Sequence, residues 1–535
     1  MAKTKPSSAP RTGRSAALVA TGILLSRLSG LIRQRVFAHY FGLSEPADAF
    51  TAASRIPNFL QNLFGEGALS ASFIPVYAAL VARGDRREAD RVAGAVAALL
   101  ALMVSAIVLV GVLGTPVFIA AIAPGFSGAK RELTISIVRV LFPAAALLVM
   151  SAWCLGVLNS HQRFLLSYAS PVMWNIAMIA TLLIYGGRGK MPAAALPHLA
   201  LVLAWGSVVG SVLMVLVQLP VVVRVAPYLR FGLDTASEQV RTVVRNFLPV
   251  FVSRGVVQLS AYIDQFLASY LPGGAVAALG NAQNLYLLPI GLFGMSVSAA
   301  ELPAMSGALA VDPARDEAVR RRLESGLRQI AFFVVPSAMA FFALGDVVAS
   351  AIYEGGQFTH NDAIYVWGIL AGSAVGLLAS TFGRLYSSTY YALRDTRTPL
   401  RYAIARVVLT TVLGYLFAFP VRAWLGIDRV WGAAGLTASA GIAGWLEMLM
   451  LRRTLRARIG ESGPEASYVI KLWIASIVAS AAAWAVKLML PHLIPALTAA
   501  LVLGTYAVVF FGAVFALRIP EAAASLNRFR RLLSR

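Results

Sequence analysis

The stretch "LLSRLSGLIRQRVFAHYFG", residues 24–42, has the length and apolar content of a membrane-crossing helix. Yet it carries Arg27, Arg33 and Arg35 and meets no acid until Glu45. An arginine at the centre of a spanning helix costs about 2.5–3.5 kcal/mol on insertion scales. Either the stretch lies outside a membrane, or something negative meets those side chains. Composition removes the first option. Hydrophobic residues make up 59% of the 535, charged residues 13%, and mean hydropathy is +0.74, whereas a soluble chain is about half apolar and a quarter charged. The chain reads as an all-α integral membrane protein.

Other classes fall away quickly. Cys154 is the one cysteine, so no disulfide framework or cysteine-based metal cluster is possible. His39, His161, His198, His360 and His492 show no pair at metal-ligand spacing. No metal or other cofactor is expected. The net charge of +22 sits in short clusters between apolar runs, which is how topology signals look, and not how a nucleic-acid surface looks. The basic N-terminus, residues 1–15, resembles the start of a signal peptide, but the segment after it is too long and lacks a cleavage site. It reads as a cytoplasmic tail.

A spanning helix needs about 20 apolar residues. Breaking the chain at charge clusters and Gly/Pro turns yields fourteen candidates: 16–42, 46–81, 92–122, 132–159, 164–186, 195–223, 240–271, 275–310, 328–353, 361–392, 399–421, 430–451, 467–490 and 494–517. Pro57, Gly65, Gly67 and Pro75 interrupt the second, which predicts a bent or broken helix. With the N-tail inside, alternate connections carry 30 Lys and Arg on that side against 6 on the other. Such a bias places both termini in the cytoplasm.

A repeat lies within the pattern. "GEGALSASFIP" ends at Pro75 and "GMSVSAAELP" at Pro303, while "LLSYASPVMWNIA" and "RDTRTPLRYAIA" carry Pro171 and Pro399, and both pairs are 228 apart. Arg27 and Arg254 align at nearly the same offset, as do "IAPGF" and "IYEGGQF". Six spans per unit is even, so the halves share one orientation. The expected plan is an N-lobe at 16–223, a C-lobe at 224–459, and two terminal helices at 460–520 outside the repeat. A short basic tail, 521–535, follows. Two six-helix lobes facing each other are a transporter plan, with the substrate path at their interface.

The intramembrane polar residues then become candidates. Ser26, Arg27, Gly30 and Arg33 cover a polar arc on the first span. On the second, Asp48, Arg55, Asn58 and Asn62 fall on one helical face, with Gln61 and Glu66 nearby. The seventh span offers Arg254, Gln258 and Asp264, the eighth Asn281, Gln283 and Asn284, and the tenth Arg384. Bland readings stand beside several. Arg35 lies where it could snorkel to the outer interface, Asp48 could cap a helix or pair with an arginine, and Glu66 could satisfy a broken helix. Arg139, Asp346 and Glu447 read as helix-end or intrahelix partners, and Lys471 and Lys487 as snorkelling residues. Acids are too few to neutralise Arg27, Arg33 and Arg254. An excess of buried guanidinium implies an anionic visitor, because arginine forks bind phosphate bidentately. No G-x-x-x-x-G-K-[ST] loop is present, so ion gradients, membrane potential or substrate supply would drive transport.

These residues carry a family likeness. "SRLSGLIRQRVFAHYFG", "ADAFTAASRIPNFLQNLFGEGALSASFIPVY", "LPIGLFGMSVSAAELPAMS", "YEGGQFT" and "YYALRDTRTP" resemble the MurJ (MviN) lipid II flippases of the multidrug/oligosaccharidyl-lipid/polysaccharide exporter superfamily. The resemblance implies fourteen helices in two lobes, plus a terminal pair whose groove takes a polyprenyl tail. It implies a non-enzymatic carrier in the bacterial inner membrane that moves undecaprenyl-pyrophosphate-linked peptidoglycan precursor to the outer leaflet by alternating access. Lipid II, membrane lipids, a coupling cation or the membrane potential, and the cell-wall synthesis machinery would be its partners. Ser26, Arg27, Arg33, Asp48, Pro57, Asn58 and Glu66 fall on the family pattern, and Arg55 and Arg384 at basic positions. Gln61 and Asn284 stand where the family expects arginine, which keeps a flippase for another polyprenyl-pyrophosphate glycan as the alternative. Gln34 replaces an acid, and Glu301 before Pro303 is off the pattern. A drug/cation antiporter fits less well, because its cavity should be rich in acid. A membrane transferase would need a catalytic acid or metal pair, and the carboxylates here read better as counter-charges. Arg27, Arg33, Arg55 and Arg254, with Gln258, would hold the pyrophosphate, while Asp48 and Glu66 pair with arginines to reset the cavity.

Overall fold

Ser44 sets up the first broken span. Its hydroxyl accepts from the Ala47 N–H at 3.3 Å and caps the helix Glu45–Leu60, whose first turn carries Glu45 and Asp48, as the positive end of the helix dipole favours. Pro57 lies inside this helix and has no N–H to donate. Four residues later, at Gln61, the chain widens into a π-helical segment, Gln61–Leu69, and then resumes as an α-helix, Ser70–Arg83. The expected bend is therefore a widened helix, continuous from 45 to 83. In a computed structural model, the chain is described at residues 10–187, 189–233, 237–247, 251, 262–311, 315–491 and 493–522.

The described residues form helices joined by short turns, with one isolated bridge between Gly355 and Phe358. Contacts divide the chain into two compact units, 1–274 and 275–535, so the described part of 224–274 groups with the first unit. The first unit holds α1 (Pro10–Phe41), α2 (Glu45–Leu60), α3 (Ser70–Arg83), α4 (Arg86–Leu113), α5 (Thr115–Ile122), α6 (Gly128–Ser160), α7 (Phe164–Ala169), α8 (Pro171–Tyr185), α9 (Leu196–Val225), α10 (helical over the described 238–247) and α11 (Ile263–Ala268). The second holds α12 (Ala275–Pro289), α13 (Ser296–Val311), α14 (Arg315–Tyr353), α15 (His360–Ala392), α16 (Arg397–Ala418), α17 (Pro420–Trp424), α18 (Gly432–Ile459), α19 (Ala466–Met489) and α20 (Pro495–Ala516). Between α12 and α13 runs a second π-helical segment, Ile290–Met295. It begins 229 positions after Gln61, so each unit carries a widened helix at the repeat offset read from the sequence.

Among the described residues, eleven helices are long and apolar enough to cross a membrane. Of the other three expected spans, α1 is one helix laden with arginine, 45–83 is the widened helix, and 240–271 lies largely outside the described residues. In the first unit α6 is the hub, packing on α2, α4 and α9. Its Trp153 indole donates to the Ala93 carbonyl at 3.1 Å, and Gln218 of α9 donates to the Ser151 hydroxyl. In the second unit α14 plays this part, packing on α13, α15, α19 and α20.

Two family-like motifs have plain local causes. In "YEGGQFT" the Gly355 and Phe358 backbones exchange hydrogen bonds, Gly356 takes φ +60°, and Thr359 with Asp362 forms a capping box for α15. In "RDTRTP" the Asp395 carboxylate accepts from the Arg397 and Thr398 N–H groups at 3.0 Å and pairs with Arg458 at 2.7 Å. Those donors, Thr398 first, hold its carboxyl down at about 2, so the turn keeps its charge throughout the neutral range.

Close helix approach is concentrated at α15 and α18. Gly372 and Gly376 form a G-x-x-x-G face, and a Cβ on Gly376 would lie 2.3 Å from the Gly441 Cα. Such contacts join membrane helices where lipid offers no hydrophobic gain. Gly376→Ala must push the helices apart, at about 1–3 kcal/mol. We expect it to lower the melting temperature in detergent, while Gly383→Ala, with nothing within 4 Å of the added Cβ, leaves it unchanged.

Candidate functional site

The polar arc of α1 meets α8. Arg33 Nε donates to Asn175 Oδ1 at 3.0 Å, and its guanidinium lies over the Trp174 ring, 4.9 Å from the centroid. The other end of the Asn175 amide donates to the Ser29 hydroxyl at 2.9 Å and reaches the Ser26 carbonyl at 3.5 Å. Ser29 in turn donates to the Ser26 carbonyl at 3.0 Å. Trp174 is itself fixed, its indole N–H donating to Ser207 of α9 at 3.0 Å. Arg33 is thus held by a carboxamide and an aromatic face. Neither neutralises its charge, and a cation over an aromatic ring gains about 0.5–2 kcal/mol while remaining a cation.

Gly30 faces this cluster loosely, since a Cβ there would lie 3.8 Å from the Asn175 amide nitrogen. Arg27 is exposed beside the exposed Leu24 and Leu28. Among the described residues no hydrogen bond or ion pair reaches it. Arg35 is also exposed, and Gln34 is half-buried.

The expected polar face of α2 divides. Asp48 is buried, bonded to the Lys130 ammonium at 2.5 Å and to the Gly274 N–H at 2.7 Å. Its described cationic partner is a lysine on α6. Lys130 stands in the first turn of that helix. Arg55 is half-buried, its carbonyl accepts from Tyr262 at 2.9 Å, and Tyr262 and Asp264 are its electrostatic neighbours. Asn58 is exposed and Gln61 half-exposed at the point where the helix widens. Pro57 is buried, and Pro75 is exposed on α3. The side chains of Gly65, Glu66, Gly67 and Pro303 lie outside the described residues, as do Arg254 and Gln258 altogether.

The second unit holds the remaining positions. Asn284 is exposed on α12 and Arg384 exposed on α15, with Tyr286, Arg406 and Glu447 as the latter's electrostatic neighbours. Here three intrahelical or snorkelling readings are corrected. Glu447 of α18 accepts from Arg406 of α16 at 3.0 Å, across helices. Asp346 of α14 is joined to Lys487 of α19, whose ammonium lies 4.8 Å over the Trp484 ring. Arg139, by contrast, is exposed on α6 with no carboxylate in ion-pair reach among the described residues. Glu301 finds its partner in Arg322 at 3.6 Å.

Sequence reading missed Asn175, Trp174 and Lys130 as partners of the charged residues. The only signal was their place in "SPVMWNIA" and beside the Ser127–Gly128 turn. Among the described residues no group of three His, Cys, Asp or Glu could hold a metal ion. The assembled chemistry is cationic and hydrogen-bonding, with carboxylates tied to particular lysines and arginines.

Comparison with known proteins gives one consistent answer. The family model "Lipid II flippase MurJ" matches residues 37–516. A lipid II flippase MurJ of Burkholderia cenocepacia is 31% identical over 441 residues, 81% of this chain and 82% of that protein. A probable lipid II flippase MurJ of Rhizobium meliloti is 29% identical over 534 residues, covering 97% and 96%. A solved lipid II flippase MurJ in an inward closed conformation matches with TM-score 0.76 at 22% identity, over 94% of this chain and 99% of that one. An inward-facing multidrug resistance MATE transporter of the MOP superfamily matches with TM-score 0.66 at 17% identity, over 83% and 98%. The last two likenesses speak for the fold alone.

The buried Asp48–Lys130 pair makes a sharp test. Removing one partner of such a pair costs about 3–5 kcal/mol because a charge is left uncompensated. Asp48→Ala should therefore destabilise the protein strongly in a detergent melt, and adding Lys130→Met should recover most of the loss.

Proposed function

The chain belongs to the lipid II flippase MurJ family, and from that membership we propose that it carries lipid II across the bacterial cytoplasmic membrane. The reading rests on the family match over residues 37–516. Arg27 and Arg33 precede that segment, so their role rests on their own chemistry. The cargo is a polyprenyl pyrophosphate bearing a sugar-peptide head. Its pyrophosphate is a dense anion, and arginine forks bind such oxygens bidentately.

In this reading Arg33 is a pre-aimed donor. Asn175 accepts from its Nε and Trp174 limits its rotation, so little side-chain entropy is lost when an anion arrives. Arg27, Arg55 and Arg254 add charge, while Ser26, Asn58, Gln61, Gln258, Asn284 and Arg384 add polar contacts to the head group. Asp48 and Glu66 supply counter-charge when the cargo has left. Pro57 with the Gln61–Leu69 segment gives α2 a yielding point, and Gly30, Gly65, Gly67, Pro75 and Pro303 are further candidate hinges. Alternating access would then expose the arginines to each side in turn. Exposed apolar side chains on α19 and α20, Ile474 and Val508 among them, would line the path of the polyprenyl tail. The lobes would be 16–223 and 224–459, with 460–520 as the tail-binding appendage. Both termini would be cytoplasmic, as the loop-charge bias supports. No bond is made or broken, so the carrier works without catalysis. The membrane potential, worth about 2.3 kcal/mol per charge per 100 mV, or a coupling cation would bias it, and the cell-wall synthesis machinery would consume the product.

Gln61 and Asn284, neutral where the family expects arginine, favour one second reading: a different polyprenyl-pyrophosphate glycan as cargo. Complementation separates the two. In cells depleted of their own lipid II flippase, the gene should restore growth and expose lipid II to an externally added cleaving enzyme. Arg27→Ala and Arg33→Ala should insert normally and fail to rescue. Asn175→Ala should weaken rescue, since a hydrogen bond to a charged group contributes about 1.5–3 kcal/mol. Full rescue by the arginine variants would overturn the anion-binding reading, and rescue only of another glycan's export would favour the second.

A further inference from the structure

The far end of α18 carries a second cationic arrangement, remote in sequence from the arginines above. Its last turns read "LRRTLRARIGESG", residues 451–463. Leu449, Arg452, Arg453 and Arg456 follow the i, i+3, i+4, i+7 spacing of one helical face, while Leu451, Leu455 and Ile459 are buried on the other. Gly460 ends the helix with φ +86°, its N–H bonded to the Arg456 carbonyl at 3.0 Å. The chain then folds back over the arginine face. Together Leu449, Arg452, Arg453, Arg456, Glu461 and Ser462 line a cavity of about 350 Å³, within the range of small-ligand sites.

Helix-dipole compensation and the inside-positive rule explain three arginines at a helix C-terminus. They do not explain Ser462. That residue is 5% exposed, it lines the cavity, and its hydroxyl has no hydrogen-bond partner. An unmet buried hydroxyl costs about 1–3 kcal/mol. The loop is also shaped around a guanidinium. Gly463 has φ +135°, and a Cβ on it would lie 3.4 Å from Arg452 Cζ and Nη2 and 3.3 Å from the Tyr386 hydroxyl, which itself donates to the Ser462 carbonyl at 3.4 Å. Glu461 pairs with Arg456, and no carboxylate among the described residues pairs with Arg452 or Arg453. The site keeps two uncompensated positive charges, one idle O–H donor, and an apolar wall at Leu449, 50% exposed.

We propose that this cavity binds a phosphate group through Arg452, Arg453 and the Ser462 hydroxyl. Two forks and a hydroxyl match phosphate oxygens in number and kind. The group would belong to an anionic phospholipid headgroup, with Leu449 against its glycerol and chain, or to free phosphate. The site stands independently of lipid II carriage, because none of its six residues belongs to the transport candidates.

The test uses the intact protein in detergent. Retained phosphatidylglycerol is counted by native mass spectrometry against phosphatidylcholine, and a thermal shift is measured with inorganic phosphate against chloride at equal ionic strength. Arg452→Gln/Arg453→Gln should lower binding roughly tenfold or more, and Ser462→Ala, which keeps every charge, several-fold. Glu461→Gln, which removes the opposing carboxylate, should strengthen it. Arg397→Gln/Arg401→Gln, an equal loss of charge from exposed positions on α16, should change nothing. Loss in the lipid arm alone assigns a headgroup, and loss in the phosphate arm assigns a soluble anion. Wild-type binding by both cavity variants in both arms overturns the proposal, as does an equal loss in the α16 control.

Discussion

A guanidinium inside an apolar helix must find acceptors without losing the charge that makes it useful, and the Arg33–Asn175 hydrogen bond meets that constraint. A carboxylate in the place of Asn175 would satisfy Arg33 and also cancel it. A carboxamide satisfies one N–H and leaves the cation intact. The Trp174 face does the same by a different interaction, and both are held by second contacts to Ser29 and Ser207. Much of the first unit can be read as the frame for this arrangement. The α1–α8 contact brings the partners together, and α9 buttresses α8.

Elsewhere the opposite solution prevails. Asp48 with Lys130, Asp346 with Lys487, and Glu447 with Arg406 are pairs across helices in which charge is cancelled. Such pairs tie helices together and offer little to a visiting anion. The contrast sorts the intramembrane charges into two kinds. Asp48 holds α2 to α6 in the first unit, and Lys487 holds α19 to α14 in the second. Arg27 and, at the end of α18, Arg452 and Arg453 pair with no carboxylate among the described residues, and Arg33 lies against Asn175 and Trp174.

How far the chain could be read before its structure depends on the range of each signal. The helices were legible because a span is a local property: some twenty apolar residues bounded by charge or Gly/Pro. The repeat was legible because the proline and glycine punctuation recurs near one offset, and the two π-helical segments show what that punctuation builds. Pro57 announced a disturbance in α2, yet nothing in its neighbourhood distinguishes a widened helix from a broken one. Partners were not legible. Asn175 is a lone amide in an apolar run, and Lys130 looks like a loop charge, because ion pairing across helices is set by packing between segments far apart in sequence. Asp346, Glu447 and Lys487 were misassigned for the same reason. Glu301 finds Arg322 only through the contact of α13 with α14.

The central claim is that Arg27 and Arg33 bind the pyrophosphate of the cargo. Equilibrium binding of undecaprenyl pyrophosphate to the purified protein addresses it without the complication of transport. With Arg27→Gln and Arg33→Gln each set against Arg139→Gln, the account predicts weakening of roughly tenfold or more for the first two, as loss of a charge-assisted bond requires, and near wild-type affinity for the third. Unchanged affinity in the α1 variants would contradict it.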